Sequence, residues 1–437
     1  MYLFITTFGT TARRKSLLTV DTMKHQYLRA LPAHFCSAPA LLGCLLLLAW
    51  SFQVLAAPRH WVGTWSTSPQ LVEPANMPPE PGLSQNTLRQ LMRVSLGGDT
   101  LRIRFSNEFS THPVTLRAVS IAASTGAGAI DPATSRKVTF GGAESTTMAP
   151  GASAISDPVA FPLKPGMDVA ITLFFGETSP DVTGHPGSRT TSYLSSGNRM
   201  ADSVPVGSIH TDHWYILSGI DVIATEHASS LVVLGNSITD GRGSGTNKQN
   251  RWTDILAERL RQNPSTRMTG VLNHGIGGNC VLRSCLGPAA LDRFERDVLR
   301  QPGGRWLIIL EGINDIGQAG PGPAAEKVAR DLTAAYETMI NKAHAAGIKV
   351  YGATLLPFGG SFYDTPDREA ARQTVNQWIR TSGRFDAVID LDLGMRDPGN
   401  PRQMLPDIHT GDFLHPNEAG HQRMGTLVDL NLFRTTP

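Results

Sequence analysis

The chain has almost no surplus of either charge: 39 lysines and arginines stand against 37 aspartates and glutamates, a formal net charge of +2. Nucleic-acid binders carry a clustered basic stripe. The one such run, Arg13-Arg14-Lys15, falls in a leader segment expected to be removed, so a nucleic-acid partner is excluded. Long apolar runs are also missing. The run over residues 40–50 is too short to span a bilayer, which excludes stable membrane insertion. No internal repeat is evident, so solenoid and propeller architectures are excluded. What remains is an ordinary globular composition, 41% hydrophobic over 437 residues, long enough for two domains.

Residues 1–57 read as an export signal with a long front end. The apolar core at 40–50 is followed by Val54-Leu55-Ala56, with cleavage after Ala56 or Ala57. Lys24, His25 and Arg29 supply a positive segment on their own, so Met23 is an alternative start. The expected location is secreted or periplasmic. Arg13-Arg14 matches a twin-arginine signal only loosely, because polar Ser16 follows Lys15 and the apolar core lies far away. Leu42-Gly43-Cys44 sits at the front of the apolar core, the wrong end for lipoprotein cleavage.

Cysteine is scarce. Of four, Cys36 and Cys44 leave with the signal, and the mature chain keeps Cys280 and Cys285. One close pair in an exported protein points to one disulfide, with two buried free thiols as the alternative. Zinc is disfavoured: His274 is near, but the Cys-x4-Cys spacing lacks a second ligand pair.

From about residue 58 to 225 the pattern is all β. Alternating runs at 88–94, 101–105, 114–121, 169–175 and 215–222 read as strands of a sandwich-like domain. Arg102 and Arg104 alternate with Leu101, Ile103 and Phe105, as in a sheet with one solvated face. Leu96-Gly97-Gly98-Asp99 predicts a hairpin turn between two strands, and residues 125–156 read as loop. Trp61 and Trp65 are candidates for stacking on sugars, although tryptophans in a strand-rich segment are more often core.

From 228 to 437 the texture is α/β. Apolar runs at 231–234, 270–272, 306–310, 348–353 and 387–391 alternate with helix-period segments at 251–262, 288–300, 324–344, 367–380 and 417–430. That alternation predicts a parallel sheet covered by helices. Only 225–230 could serve as a linker, so the two parts are expected to pack together.

The first run ends abruptly in Gly235-Asn-Ser237-Ile-Thr-Asp-Gly241, a turn at the carboxyl edge where such sheets bind ligands. It is not the Gly-x-Ser-x-Gly elbow, since Thr239 stands where a glycine is needed. A lone serine there is more often a cap or turn former. Acyl transfer through serine needs a base, a carboxylate orienting the base, and donors for the oxyanion. Asp412 and His415, three apart before Pro416, can present both side chains to one side, so His415 could reach Ser237 while Asp412 holds its other ring nitrogen. In isolation the pair reads as a loop histidine with a capping aspartate. Asp407 and His409 are a competing pair whose alternate spacing points them apart in extended chain. Gly278 lets its N–H approach a substrate oxygen, and Asn314 offers an amide N–H after the third run.

Taken in this order, the blocks resemble the SGNH, or GDSL, hydrolase superfamily: Gly-Asn-Ser237-Ile-Thr-Asp-Gly, residues 273–279, Gly312-Ile-Asn314-Asp, and Asp412-x-x-His415-Pro. The resemblance covers about 231–430 and implies a five-stranded parallel sheet in flavodoxin-like order. It implies Ser237 as nucleophile, His415 as base and then acid, and Asp412 as orienter. The implied oxyanion hole comes from the Ser237 and Gly278 N–H groups and the Asn314 amide. Asn236 stands where the commoner form has Asp, and neither chemical step requires that carboxylate. Trp61-Val-Gly-Thr-Trp65 and Arg102-Ile-Arg-Phe-Ser-Asn107-Glu resemble a bacterial subgroup that places a β-sandwich before the SGNH domain, some members of which are linked to xylan-degrading enzymes.

The reading is a carboxylic-ester hydrolase acting on small-molecule or polysaccharide esters, with short acyl groups favoured because no loop is conspicuously apolar. It requires no metal and no organic cofactor. Lipid-ester hydrolysis, sugar O-acyl transfer, and a glycan-binding module with a decayed site are the rivals. No feature of the chain assigns an oligomeric state.

Overall fold

Leu101, Ile103 and Phe105 are fully buried on one side of their strand, and the same alternation recurs along most strands of the first half, which gives each sheet one inward apolar face. The computed structural model describes residues 59–434; the expected export signal, with Cys36 and Cys44, lies outside the described residues. One antiparallel sheet runs Arg59–Ser66, Leu217–Thr225, Gly98–Ser106, Val159–Leu163, with Ser153–Ile155 paired to Gly98–Ser106. The other runs Ile209–Thr211, Ser192–Ser195, Thr87–Arg93, Asp168–Phe175, Val114–Gly126, Ala129–Ile130, with Arg136–Val138 and Thr146–Met148 also paired to Val114–Gly126. Val62, Leu88, Phe105, Phe161, Ile171 and Leu173 belong to one hydrophobic cluster. This is the all-β, sandwich-like architecture.

Four local expectations fail here. Gly97-Gly98 is not a hairpin turn: Thr87–Arg93 and Gly98–Ser106 lie in different sheets, and the link crosses between them. Strand-like alternation fixes a face but not a partner. Residues 125–156 are not plain loop, because they hold four edge strands of two or three residues, too short to show periodicity. Run 215–222 is broken at Ile216, which has φ 67°. Finally, the face bearing Arg102 and Arg104 is not solvated. Both guanidiniums pair with the fully buried Asp221, at 2.9 and 3.2 Å, and Arg104 donates to Gln301 of the second half at 2.9 Å. That face is covered by the parallel-sheet half.

Trp65 is core, edge-on to Trp214 at 4.9 Å, while the ring of Trp61 lies under the Arg102 guanidinium. Trp65 is 7% exposed and Trp61 is half-buried.

The second half is a five-stranded parallel sheet in the order Thr269–Gly275, Ser229–Gly235, Gly304–Leu310, Lys349–Ala353, Ala387–Ile389. In chain order this is 2-1-3-4-5, the flavodoxin-like arrangement. Its topological switch point lies between the first and third strands. Leu231, Val232, Val233 and Leu234 are all fully buried, which is why this strand reads as an unbroken apolar run; each such side chain contributes about 1.5–3 kcal/mol by leaving water. Helix Trp252–Gln262 packs with Glu418–Leu427, and Pro323–Ala345 with Pro366–Thr381. Three boundaries move. The 288–300 segment is Ala290–Phe294 followed by a π-helical turn, Glu295–Leu299; the last strand stops at Ile389; and the final helix stops at Leu427.

The described residues form one compact body. The first strand of the β-rich part docks on the parallel sheet through Gly63, whose N–H donates to Pro302 O at 2.9 Å and whose carbonyl accepts from Ser230 Oγ at 3.1 Å. Ser95 Oγ accepts from Val271 N–H at 2.9 Å. No described helix is long and apolar enough to cross a membrane.

Candidate active site

Ser237 opens a four-residue helix, Ser237–Asp240, directly after the first parallel strand. Asn236 caps it by accepting from Ile238 N–H at 3.1 Å, and Gly241 ends it at φ 101°. The serine hydroxyl is thus presented at the switch point, with a first-turn N–H that has no intrahelical partner.

His415 and Asp412 come from the turn before the last helix. Ser237 Oγ lies 2.9 Å from His415 Nε2, and His415 Nδ1 lies 2.6 Å from Asp412 Oδ2. The other oxygen of Asp412 accepts the Leu414 and His415 N–H groups, each at 2.9 Å. Phe413, between them, adopts φ 56°, a left-handed conformation uncommon for a bulky residue, which turns the chain back so that Asp412 and His415 face each other. His409 does not join Asp407; its Nδ1 accepts from Gly411 N–H at 3.0 Å and its ring packs on Phe413.

The electrostatics follow from burial. Burial pushes the His415 imidazole below its ordinary value, and the Arg242 and Arg189 cations add to that, against the Asp412 carboxylate, which raises it. Burial also acts to raise Asp412, but the His415 main-chain and side-chain hydrogen bonds and the Leu414 N–H outweigh it and hold the carboxyl well below its usual range. At neutral pH the arrangement is therefore a neutral imidazole backed by a fixed carboxylate. Protonation disables the imidazole as a base, so kcat/KM should fall as pH drops through the His415 pKa. The midpoint should lie below the ordinary histidine value of about 6.5. A pH–rate profile with a midpoint at or above that value would contradict this electrostatic picture.

The Gly278 turn follows the second parallel strand. Ile276 N–H donates to Gly235 O at 3.0 Å, tying the turn beside the Ser237 helix. Gly278 has φ 68°, a backbone conformation that favours glycine, and a Cβ there would meet only the movable tip of the exposed Leu286 side chain, at 2.8 Å. Among the described residues its N–H donates to no protein acceptor. Asn314 is buried in the helix Ile313–Gly317 after the third strand. Its Nδ2 donates to Asn279 O at 2.7 Å, and its Oδ1 accepts from Tyr363 hydroxyl at 3.0 Å. The second hydrogen of that amide remains for a ligand.

Neighbouring residues of the same sequence blocks, and the expected disulfide, support the turn. Asn279 Nδ2 donates to Leu286 O and Pro288 O at 2.8 and 2.7 Å. Asp315 accepts from Val281 and Leu282 N–H at 2.9 and 3.0 Å. Cys280 and Cys285 form a disulfide inside this loop. In a chain-entropy model a ring this short is worth about 2 kcal/mol. Cys280→Ser/Cys285→Ser should lower the melting temperature by several degrees, and turnover should fall with it because the loop begins at Gly278. Unchanged melting and turnover would show that the hydrogen bonds alone hold the loop.

His274 is no metal ligand here. It is buried between Ser66 and Ser68 hydroxyls at 2.7 and 3.1 Å, and burial drives its pKa down to about 3. A separate cavity of about 210 Å³ opens beside the helix Trp252–Gln262, lined by Trp65, Thr67, Trp214, Asp240, Arg251 and Glu258. Of the Ser237–Asp240 helix, only Asp240 lines it.

Residues 233–423 match the family model of the GDSL-like lipase/acylhydrolase family. Among solved structures the chain is similar to a GDSL-like lipase from Bacteroides thetaiotaomicron, at 22% identity and TM-score 0.34, over 46% of this chain and 85% of that one. It is also similar to an acetylxylan esterase from Geobacillus stearothermophilus, at 20% identity and TM-score 0.36, over 46% of this chain and 94% of that one. No curated protein matches the sequence.

Proposed function

We propose, on the premise of the match of residues 233–423 to the GDSL-like lipase/acylhydrolase family, that the chain is a carboxylic-ester hydrolase, an exported serine esterase working through an acyl-enzyme. Ser237 Oγ attacks the ester carbonyl as His415 Nε2 takes its proton. The oxyanion is held by the Ser237 and Gly278 N–H groups and the Asn314 amide. His415 then returns the proton to the leaving alcohol, and a water activated by the same imidazole releases the acid. Asp412 fixes the imidazole tautomer throughout. The observation that carries this reading is the 2.9 Å contact between Ser237 and His415, residues 178 apart in sequence, with Asp412 directly behind.

Acetyl and other short acyl esters on polysaccharide are the proposed substrates, because the 242–252 segment after the serine is glycine-rich and polar. Lipid esters are the second reading. It is favoured by two exposed apolar side chains: Leu286, which lies over Gly278, and Phe362, which abuts Tyr363 and is 71% exposed. Export is supported by the disulfide, which persists in oxidising compartments.

The test is acetate release by the mature protein from acetylated xylan, beside acetyl, butyryl and octanoyl model esters, with Ser237→Ala as background. Serine-dependent acetate release with falling rates on longer chains is the expected result. Untouched xylan with a preference for octanoyl esters would move the assignment to lipid esters. Activity retained in purified Ser237→Ala would remove the serine mechanism altogether.

A further inference from the structure

The β-rich part does more than cover the parallel sheet: its 184–191 segment reaches the Ser237 helix. His185 bridges the two halves, with Nε2 2.8 Å from Asp240 Oδ1 and Nδ1 3.0 Å from Ser68 O. Two residues later the approach is so close that a Cβ on Gly187 would lie 1.9 Å from Asp240 Oδ2. The chain is then pinned on both sides of Arg189. Ser188 O accepts from Arg251, Arg189 O accepts from Asn247 N–H at 3.0 Å, and Thr191 N–H donates to Asn247 Oδ1 at 2.8 Å. Arg189 itself is held at φ 49°, a conformation that costs energy for a long side chain and persists only where its surroundings impose it.

What this rigid mount presents is an under-used cation. The Arg189 guanidinium stands 3.7 Å from Asp240 Oδ2, beyond hydrogen-bond range, and Asp240 is already held by His185. Its Nε is buried with no partner among the described residues. A second cation lies close by. Arg242 follows the Ser237 helix, its N–H donating to Ser237 O at 2.9 Å and its carbonyl lying 3.0 Å from His421 Nε2. Its side chain is exposed and has no ion-pair partner among the described residues. Both charges are near enough to His415 to oppose its protonation.

A buried N–H left without an acceptor is costly, and a planar guanidinium fork fits a carboxylate or phosphate in two parallel hydrogen bonds. We propose that Arg189, supplied by the β-rich part, and Arg242 form an oxyanion-group subsite beside the Ser237–His415 pair. The subsite selects ester substrates that carry a carboxylate or phosphate near the scissile bond. This rests on the reading of Ser237 as nucleophile, and it gives the β-rich part a direct share in substrate choice. A charge-assisted hydrogen bond of this kind changes affinity by about tenfold or more.

The test compares matched aryl acetates: phenyl acetate as the neutral reference, 3-acetoxybenzoate for the carboxylate arm and 3-acetoxyphenyl phosphate for the phosphate arm. The wild-type protein should favour at least one anionic ester, by a margin that shrinks with added salt. Which arm is favoured distinguishes a uronate-like group from a phosphate headgroup. Arg189→Ala and Arg242→Ala should each lower the anionic-to-neutral ratio of kcat/KM by about tenfold, and Arg189→Lys should keep part of it by retaining charge without the fork. Equal losses on all three esters, or a wild-type protein with no anionic preference, would overturn the subsite. Either result could coexist with Ser237-dependent hydrolysis, and the esterase reading would then stand. Hydrolysis that survives Ser237→Ala would instead bring down that reading itself. Should Arg189→Ala fail to fold, the Arg242→Ala ratio and the salt dependence decide.

Discussion

Replacing Ser237 by alanine should lower kcat on a short aryl ester by about 10⁴-fold or more, and adding His415→Ala to that variant should cost almost nothing further. The reason is geometric. Ser237 Oγ and His415 Nε2 are 2.9 Å apart; in the proposed mechanism they take part in one proton transfer, so removing either removes the same step, and their effects cannot add. Asp412→Asn should cost less than either, since Asp412 touches no substrate atom and acts by holding Nδ1 at 2.6 Å. Residual turnover is expected from the oxyanion donors alone. The measurement is steady-state kinetics on the two single variants and the double variant. If the double variant loses the product of the two single losses, Ser237 and His415 act independently and the shared proton transfer is wrong.

The residues in that prediction were legible in the sequence because each sits in a local block: the serine at the end of an apolar run, and Asp412 and His415 three apart before a proline. The parallel sheet was legible for the same reason, since a strand such as Ser229–Gly235, buried on both faces, leaves an unbroken apolar signature. What was not legible is whatever depends on a partner distant in sequence. Gly97-Gly98 looks like a hairpin turn, and only the pairing of Gly98–Ser106 with Leu217–Thr225 shows that the chain has changed sheets. Arg102 and Arg104 look like a solvated edge, and only the buried Asp221 shows that they are an inner layer. Tyr363 contacts Asn314 across 49 residues and belongs to no motif. Arg189 belongs to the β-rich part, where nothing local points to Asp240. What constrains it shows only in the folded chain, in a left-handed backbone and in the hydrogen bonds that Arg189 and Ser188 make to Asn247 and Arg251.

Arg293→Met should destabilise the protein by about 3–5 kcal/mol, a larger structural effect than any other single substitution considered. Arg293 lies in the helix Ala290–Phe294, is 2% exposed, and donates in several directions. Nη1 reaches Ser68 Oγ of the β-rich part at 3.0 Å, His274 O at 2.8 Å and Asp297 at 2.9 Å. Nη2 reaches Gly235 O at 3.1 Å and Asn279 Oδ1 at 2.9 Å. One side chain therefore ties the second half's sheet to the β-rich part. It also fixes two points next to the chemistry: the strand end before Ser237, and the residue after Gly278. Methionine fills much of the same space and supplies none of those donors. Asp297 would keep Arg296 as a counter-charge, but Gly235, His274 and Asn279 would each lose a buried donor, and unmet buried acceptors are what make such losses large. The melting temperature should fall by roughly 5 °C. In protein that remains folded, kcat should drop more than KM rises, because the loosened atoms position the oxyanion donors and bind no remote part of the substrate. Arg293→Lys should recover little, since one ammonium cannot reach five acceptors arranged around a planar fork. A variant that melts within two degrees of wild type would show that the acceptors find water and that the cluster does not hold the halves together. Unchanged kcat in a destabilised variant would instead separate the scaffold from the site, leaving the Gly278 turn to be positioned by its remaining contacts, among them Asp315, the Ile276 N–H and the disulfide.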